Sequence, residues 1–277
     1  MPMQVQLRAL GRRVNHPRRS AAAARDASRL FLGFTRPGVI VLGNQKSGTS
    51  AVAALLAEWA GLRATIDIPA LWNEEFVKLR TGARTMRLFA ALHARDFGAD
   101  VVKEPNLTFL YPQLRRAFPR SRFVYVIREP RANIRSILSR LGLPGDAEDL
   151  SQAELDAVPP TWRPVFEPNV LGLPPGTYIE TLARRWNAAV DAHLDHAADM
   201  LLVRYEAFLG DKVGTIAALG RDLGLAARQE IGGSVDRQFQ PRGSHAPAEQ
   251  FFSSRNLDRI HELCGAHAAR IGYDLVH

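Results

Sequence analysis

The sequence predicts an α/β protein, a doubly wound and mostly parallel sheet with helices on both faces. Three observations carry this. Short apolar runs recur that are too brief for helices and unbroken enough for strands buried on both sides. Stretches long enough for helical crossovers separate them. The polar, glycine-bearing turns follow the carboxyl ends of the strands, where such sheets bind ligands. The chain has 277 residues and is 46% hydrophobic, enough for a substantial core.

Pro37-Gly38 punctuates the chain, and Val39 to Leu42 (VIVL) reads as a fully buried strand. Gly43 to Gly48 is a loop, and Thr49 to Ala60 a helix stopped by Gly61. Helices are expected over Asn73–Leu79 and Arg84–Arg95. Asp100 to Val102 reads as a second strand that delivers Lys103 at its end. A helix over Leu110–Phe118 closes at Pro119. Arg122 to Ile127 (RFVYVI) is the clearest strand and ends at Arg128. Pro130 suits the first turn of a helix running to Arg140. Residues 141–177 hold many prolines and glycines and read as a long loop or lid. A helix over Tyr178–Ala197, a strand over Met200–Val203 and a helix over Lys212–Leu223 follow. Residues 232–250 are loop-like, and a last helix covers Ser254–Arg270.

The net charge of +8 is unevenly placed. Eight arginines and a single acid, Asp26, fall in residues 1–37, so the remainder is almost neutral. The chain therefore divides into a basic leader (1–37), read as a solvated, disordered tail, and one α/β domain (38–277). The leader also suits weak contact with an anionic membrane surface, or an organelle-targeting peptide. The near-neutral remainder gives no reason to expect a nucleic-acid partner. One cysteine, Cys264, excludes an intrachain disulfide and fits a cytoplasmic setting. There is no apolar run of membrane-span length and no secretory h-region. Oligomeric state is not encoded legibly.

Gly43-Asn44-Gln45-Lys46-Ser47-Gly48-Thr49-Ser50 sits between a strand and a helix. Its glycines let the backbone wrap an anion, and the amides opening the helix favour negative charge. The glycine spacing is that of a nucleotide-binding P-loop, but Thr49 stands where that loop has its lysine. The lysine, Lys46, lies inside the loop, suited to the bridging oxygen of a shorter 5′-anion.

Lys46-Ser47-Gly48-Thr49-Ser50 resembles the 5′-phosphosulfate loop of sulfotransferases that use PAPS (3′-phosphoadenosine 5′-phosphosulfate), written P-K-[ST]-G-T-[ST]. Gln45 takes the place of the proline. Arg128-Glu129-Pro130-Arg131-Ala132-Asn133-Ile134-Arg135-Ser136 resembles the family's 3′-phosphate motif, an arginine ending a strand and a serine eight residues later. Lys103-Glu104-Pro105 with Phe118-Pro119 is similar to the K-x-P … F-P run of carbohydrate and tyrosylprotein sulfotransferases. Trp186 with Val203-Arg204-Tyr205-Glu206 resembles the later W … R-Y-E pattern. The resemblance covers residues 38–225, with an echo at Gly272-Tyr273.

The resemblance implies a P-loop-like phosphosulfate loop and a sulfuryl transfer from PAPS to a hydroxyl or amine of a carbohydrate, lipid or other small-molecule acceptor, without a metal. It implies donor binding by Gln45, Lys46, Ser47, Gly48, Thr49 and Ser50 at the 5′ end. Arg128 and Ser136 would hold the 3′-phosphate, with Arg242 and Gly243 closing over it like the basic R-K-G segment of cytosolic members. Lys46 would neutralise the leaving phosphate oxygen, and Lys103 would face the sulfuryl oxygens. The general base is expected among Glu74, Glu75 and Glu104. Glu74 is favoured, because heparan-type members carry a Glu-Glu pair in a similar place. The histidine of the cytosolic K-T-H motif has no counterpart, since position 105 is proline. His193 with His196, and His261 with Cys264, are too few to form metal sites. Trp186 is expected in the core. Two other classes compete: a nucleotide-dependent phosphotransferase with a rearranged loop, and a non-catalytic polyanion binder built on the leader.

Overall fold

The computed structural model describes residues 37–72, 74–237 and 246–275. The predicted leader, apart from Pro37, and the Arg242-Gly243 pair lie outside them. Five parallel strands form one sheet: β1 (Val39–Leu42), β2 (Ala64–Ile66), β3 (Val101–Lys103), β4 (Arg122–Ile127) and β5 (Met200–Arg204), in the order β2-β3-β1-β4-β5. The chain builds outward from β1 on one side and then on the other. The turn after β1 therefore sits at the topological switch point, where an open α/β sheet leaves a crevice for a ligand.

Side chains alternate across the sheet, and both faces are covered. Val39 and Val41 of β1, with Val124 and Val126 of β4, pack under α1 (Thr49–Ala60) and a later helix, Lys212–Asp222. Ile40 and Leu42, with Phe123, Tyr125 and Ile127, face the opposite layer. That layer contains α5 (Pro130–Leu141) and α6 (Tyr178–Leu194), against which α9 (Ser254–Arg270) packs. Between α1 and α5, α2 (Glu74–Arg80), α3 (Met86–Leu92) and α4 (Tyr111–Ala117) precede β4. Beyond β5, α7 (Tyr205–Gly210) leads into α8, the Lys212–Asp222 helix. Trp186 of α6 is buried as expected, and its indole N–H donates to the Arg128 carbonyl at 2.9 Å.

Several local expectations are corrected. The edge strand β2 was not foreseen: three half-exposed residues give neither an apolar run nor a clear alternation. The helix expected over 84–95 breaks at His93 into α3 and a turn at Ala94–Phe97. The long loop at 141–177 contains three short helices, Gln152–Ala157, Arg163–Phe166 and Pro168–Leu171. A reciprocal Ser151–Glu154 capping box starts the first, and proline opens each of the other two. Ala248–Phe251, inside a region read as loop, is also helical.

Candidate active site

The loop after β1 is held by its own backbone and by two asparagines. Gly43 has φ 142°, and a β-carbon there would lie 2.3 Å from the Val126 carbonyl oxygen, so only glycine lets the loop leave the strand here. The Gly43 N–H donates to Thr108 Oγ1 at 2.8 Å. Asn133, in the first turn of α5, donates through Nδ2 to the Gln45 carbonyl (2.9 Å) and to Ser47 Oγ (3.0 Å), and accepts from Asn44 Nδ2 (3.0 Å). Gln45 stands where the resemblance has a proline. Its side-chain oxygen accepts from Arg185 Nη2 (3.0 Å) and Nε (3.2 Å), and its amide donates to Asn106 Oδ1 (3.0 Å). A clamp of side chains supplies the stiffness that a pyrrolidine ring would give.

Gly48 caps α1 in the left-handed region at φ 93°, and a β-carbon there would meet the Tyr205 ring at 2.3 Å. Tyr205 closes the lip of the loop, and the Arg128 guanidinium lies 4.6 Å above its ring centroid. Arg128 Nη1 donates to the Lys46 carbonyl at 3.2 Å, while its buried Nε has no hydrogen-bond partner among the described residues. The strand-end arginine and the loop lysine are therefore neighbours at the carboxyl ends of adjacent strands.

A cleft of about 810 Å³ opens over these ends. It gathers most of the residues singled out from sequence: Gln45, Lys46, Gly48, Thr49 and Ser50 from the loop, then Glu74, Lys103, Glu104, Arg128 and Ser136. Ser47 is buried behind the loop as Asn133's acceptor and does not line the cleft. Glu75 is also off the wall, paired with Lys78 at 3.1 Å and Arg84 at 2.7 Å. Glu74 lines the rim, but its side chain is 86% exposed and pairs with Lys78 at 3.3 Å. Glu104 is fully buried. It accepts from the Ile68 and Asn106 backbone N–H groups and from Trp72 Nε1, at 2.9 to 3.0 Å, so it braces the wall. Burial raises its pKa, with the nearby Lys103 charge opposing.

Electrostatics single out Lys46. Its ammonium is pushed down to about 8, first by burial and then by the charges of Arg140, Arg128 and Lys103. Burial also lowers Arg128. Cations crowd together at this cost where an anion is to be received.

Sequence reading passed over several residues of the site. Asp67, at the end of β2 with φ 69°, lines the cleft and pairs with the buried ammonium of Lys103. Arg140 lies one turn beyond Ser136 on α5, a spacing that was readable. Arg185 is buried at the back, its pKa lowered to about 9 by burial against the opposing influence of Glu104. Asn133 lay unremarked inside the quoted motif. Among the described residues there is no group of three or more His, Cys, Asp or Glu able to hold a metal, and no helix long and apolar enough to cross a membrane.

A sequence comparison with curated proteins finds no match. Among solved structures, the chain is similar to a sulfotransferase from Alicyclobacillus acidocaldarius at 14% identity and a TM-score of 0.51, covering 87% of this chain and 97% of that one. It is also similar to the sulfotransferase STF9 from Mycobacterium avium, at 12% identity and a TM-score of 0.52, covering 92% and 81% respectively. At these identities the likeness establishes the α/β fold. The model of the sulfotransferase family matches residues 58–229, which include Lys103, Arg128 and Ser136 and begin after the Lys46 loop. With more than half its length matched, this chain belongs to the sulfotransferase family.

Proposed function

We propose that the chain transfers the sulfuryl group of PAPS to a hydroxyl or amine of a small-molecule or carbohydrate acceptor. The observation that carries this is the joining of two anion-binding elements: Arg128 donates to the Lys46 carbonyl, within a group of cations that depresses Lys46. PAPS offers a matched pair of anionic groups, one at each side of its ribose. The Arg128 Nε (unpartnered among the described residues), the cation cluster and the loop amides suit such a ligand.

In this reading Arg128 and Ser136 grip the 3′-phosphate. Lys46 and the start of α1 hold the 5′ side, where Lys46 neutralises charge on the leaving phosphate oxygen. Lys103 faces the sulfuryl oxygens. Asp67 takes the acceptor's proton in preference to Glu74. It sits inside the cleft against Lys103, whereas Glu74 stands largely in water. An anionic sulfuryl group competing for Lys103 would free the Asp67 carboxylate to act.

Thermal unfolding with 3′,5′-ADP, ATP and GTP, each with and without EDTA, tests the donor assignment. A ligand held by the native state raises the melting temperature. The expected outcome is a rise with 3′,5′-ADP that EDTA leaves unchanged. A larger, EDTA-sensitive rise with ATP would favour a phosphotransferase instead.

A further inference from the structure

Two regions of the cleft lining are unlike. One carries the cations already described. The other is built from residues 67–72, 74–77 and 161–170. Its apolar lining includes Leu71, Phe76, Val77, Trp162, Val165 and Val170, and its charged members are Asp67, Glu74 and Glu167. Among the described residues, these two stretches place no cation on the lining. The basic side chains nearby are turned to other work. Arg80 donates to the Leu171 carbonyl (3.1 Å), Lys78 pairs with Glu74 and Glu75, Arg84 pairs with Glu75, and Arg163 donates to the Val158 and Asp156 carbonyls (3.2 Å each). The Arg80 bond ties α2 to the Pro168–Leu171 helix, so the two stretches adjoin.

Resting on the PAPS reading, we infer that the acceptor is an uncharged alcohol on a largely apolar skeleton, seated against the 67–72, 74–77 and 161–170 lining with its hydroxyl toward Asp67 and Lys103. A sulfated or carboxylated saccharide would meet Glu167 and, at Asp67 and Glu74, carboxylates that already hold Lys103 and Lys78, so these two stretches offer it no cation of their own. A neutral saccharide would strip water from its hydroxyls against leucine, phenylalanine and tryptophan with few partners in return. An apolar skeleton gains from the same surface at roughly 25 cal/mol per Å² buried. The volume of about 810 Å³ lies toward the upper end of the roughly 300–1,000 Å³ typical of ligand pockets. In the transfer, the acceptor oxygen forms a bond to sulfur as the bond from sulfur to the 5′-phosphate oxygen breaks. The electron pair leaves with that oxygen and the hydroxyl proton passes to Asp67, giving a sulfate monoester and 3′,5′-ADP.

The test measures kcat/KM of the full chain with PAPS and three probes: 1-decanol, maltose and a glucuronate-containing disaccharide. Binding of 3′,5′-ADP is measured separately. The expected result is nucleotide binding together with a preference for decanol of about tenfold over maltose and about a hundredfold over the anionic disaccharide, the scale at which pocket contacts discriminate. Trp162→Ala should raise KM for decanol about tenfold, the loss of ~1.4 kcal/mol of apolar contact, with the Kd for 3′,5′-ADP unchanged. Val77→Lys, on the exposed rim, should narrow the gap between decanol and the anionic disaccharide and keeps the test open if Trp162→Ala fails to fold. Nucleotide binding with equal or better turnover of either saccharide, or with no turnover of decanol, would overturn this inference alone. Failure of 3′,5′-ADP to bind would overturn the donor reading and this inference with it.

Discussion

The cationic half of the cleft and its apolar wall are built on different principles. On the cationic side the loop, α5 and α6 are cross-linked by polar side chains. Asn133 reaches Asn44, Gln45 and Ser47, Arg128 reaches Lys46, and Arg185 reaches Gln45. Such a network holds its geometry before a ligand arrives, as electrostatic stabilisation of a developing charge requires. The other wall offers apolar side chains from α2 and two short helices. One half presents hydrogen-bonded polar groups to the cleft, and the other presents mostly apolar side chains on a backbone that Glu104, Asn106 and Arg80 brace from behind. Substitutions should therefore act on chemistry in the first and on acceptor affinity in the second.

The largest expected separation comes from Lys46→Ala, which should lower kcat by about a thousandfold or more with little change in acceptor KM, read by steady-state kinetics with labelled PAPS. A variant within threefold of wild type would remove Lys46 from the chemistry. Next, Asp67→Asn should cost kcat about a hundredfold or more, the usual scale of general-base catalysis, while Glu74→Gln stays within about threefold. The reverse ranking in the same assay would return the base to the rim.

A pH titration sharpens the contrast without mutation. Lys46 is charged below about 8 and neutral above it, far under its ordinary 10.5. Affinity for 3′,5′-ADP and kcat/KM should hold up to that pH and then fall, by up to about tenfold per unit, because the free protein's pKa governs both. The same depression means that the fold binds fewer protons than the unfolded chain between about 8 and 10.5. The Lys46 contribution to stability therefore rises with pH across that window. Calorimetric titration from pH 7 to 9.5 checks the binding side; a flat profile would contradict a Lys46 that both titrates near 8 and meets the ligand.

Smaller again is Asn133→Ala. It leaves Asn44, Ser47 and the Gln45 carbonyl without their partner, costing about 1–3 kcal/mol of stability. It should weaken 3′,5′-ADP binding about tenfold by loosening the loop. The smallest effect is expected from Glu75→Gln, which removes ion pairs outside the cleft and should shift stability by no more than about 1 kcal/mol, with kinetics unchanged.

Much of the sheet and the cationic half was legible because its signals are local. A four-residue apolar run, a glycine loop and a helix start are contiguous at Val39–Ala60. Arg128 and Ser136 sit on one strand–helix junction. What escaped depends on contacts between distant segments. Asp67 and Lys103 are 36 residues apart, and Gln45 and Arg185 are 140 apart. No spacing rule links either pair. Glu74 is favoured over Glu75 on a family resemblance alone, and helix geometry does put Glu74 on the cleft and tie Glu75 to Arg84. β2 escaped because none of its three residues is fully buried, and three residues cannot display a period.

The central claim is that Lys46 and Arg128 grip two ends of one nucleotide. Titrating 3′,5′-ADP against 5′-AMP into wild type, Arg128→Ala and Lys46→Ala tests it most directly. The account predicts that wild type prefers 3′,5′-ADP by about a hundredfold, the worth of a charge-assisted fork, that Arg128→Ala loses most of this preference, and that Lys46→Ala weakens both ligands alike. Equal affinity of wild type for the two nucleotides would contradict it.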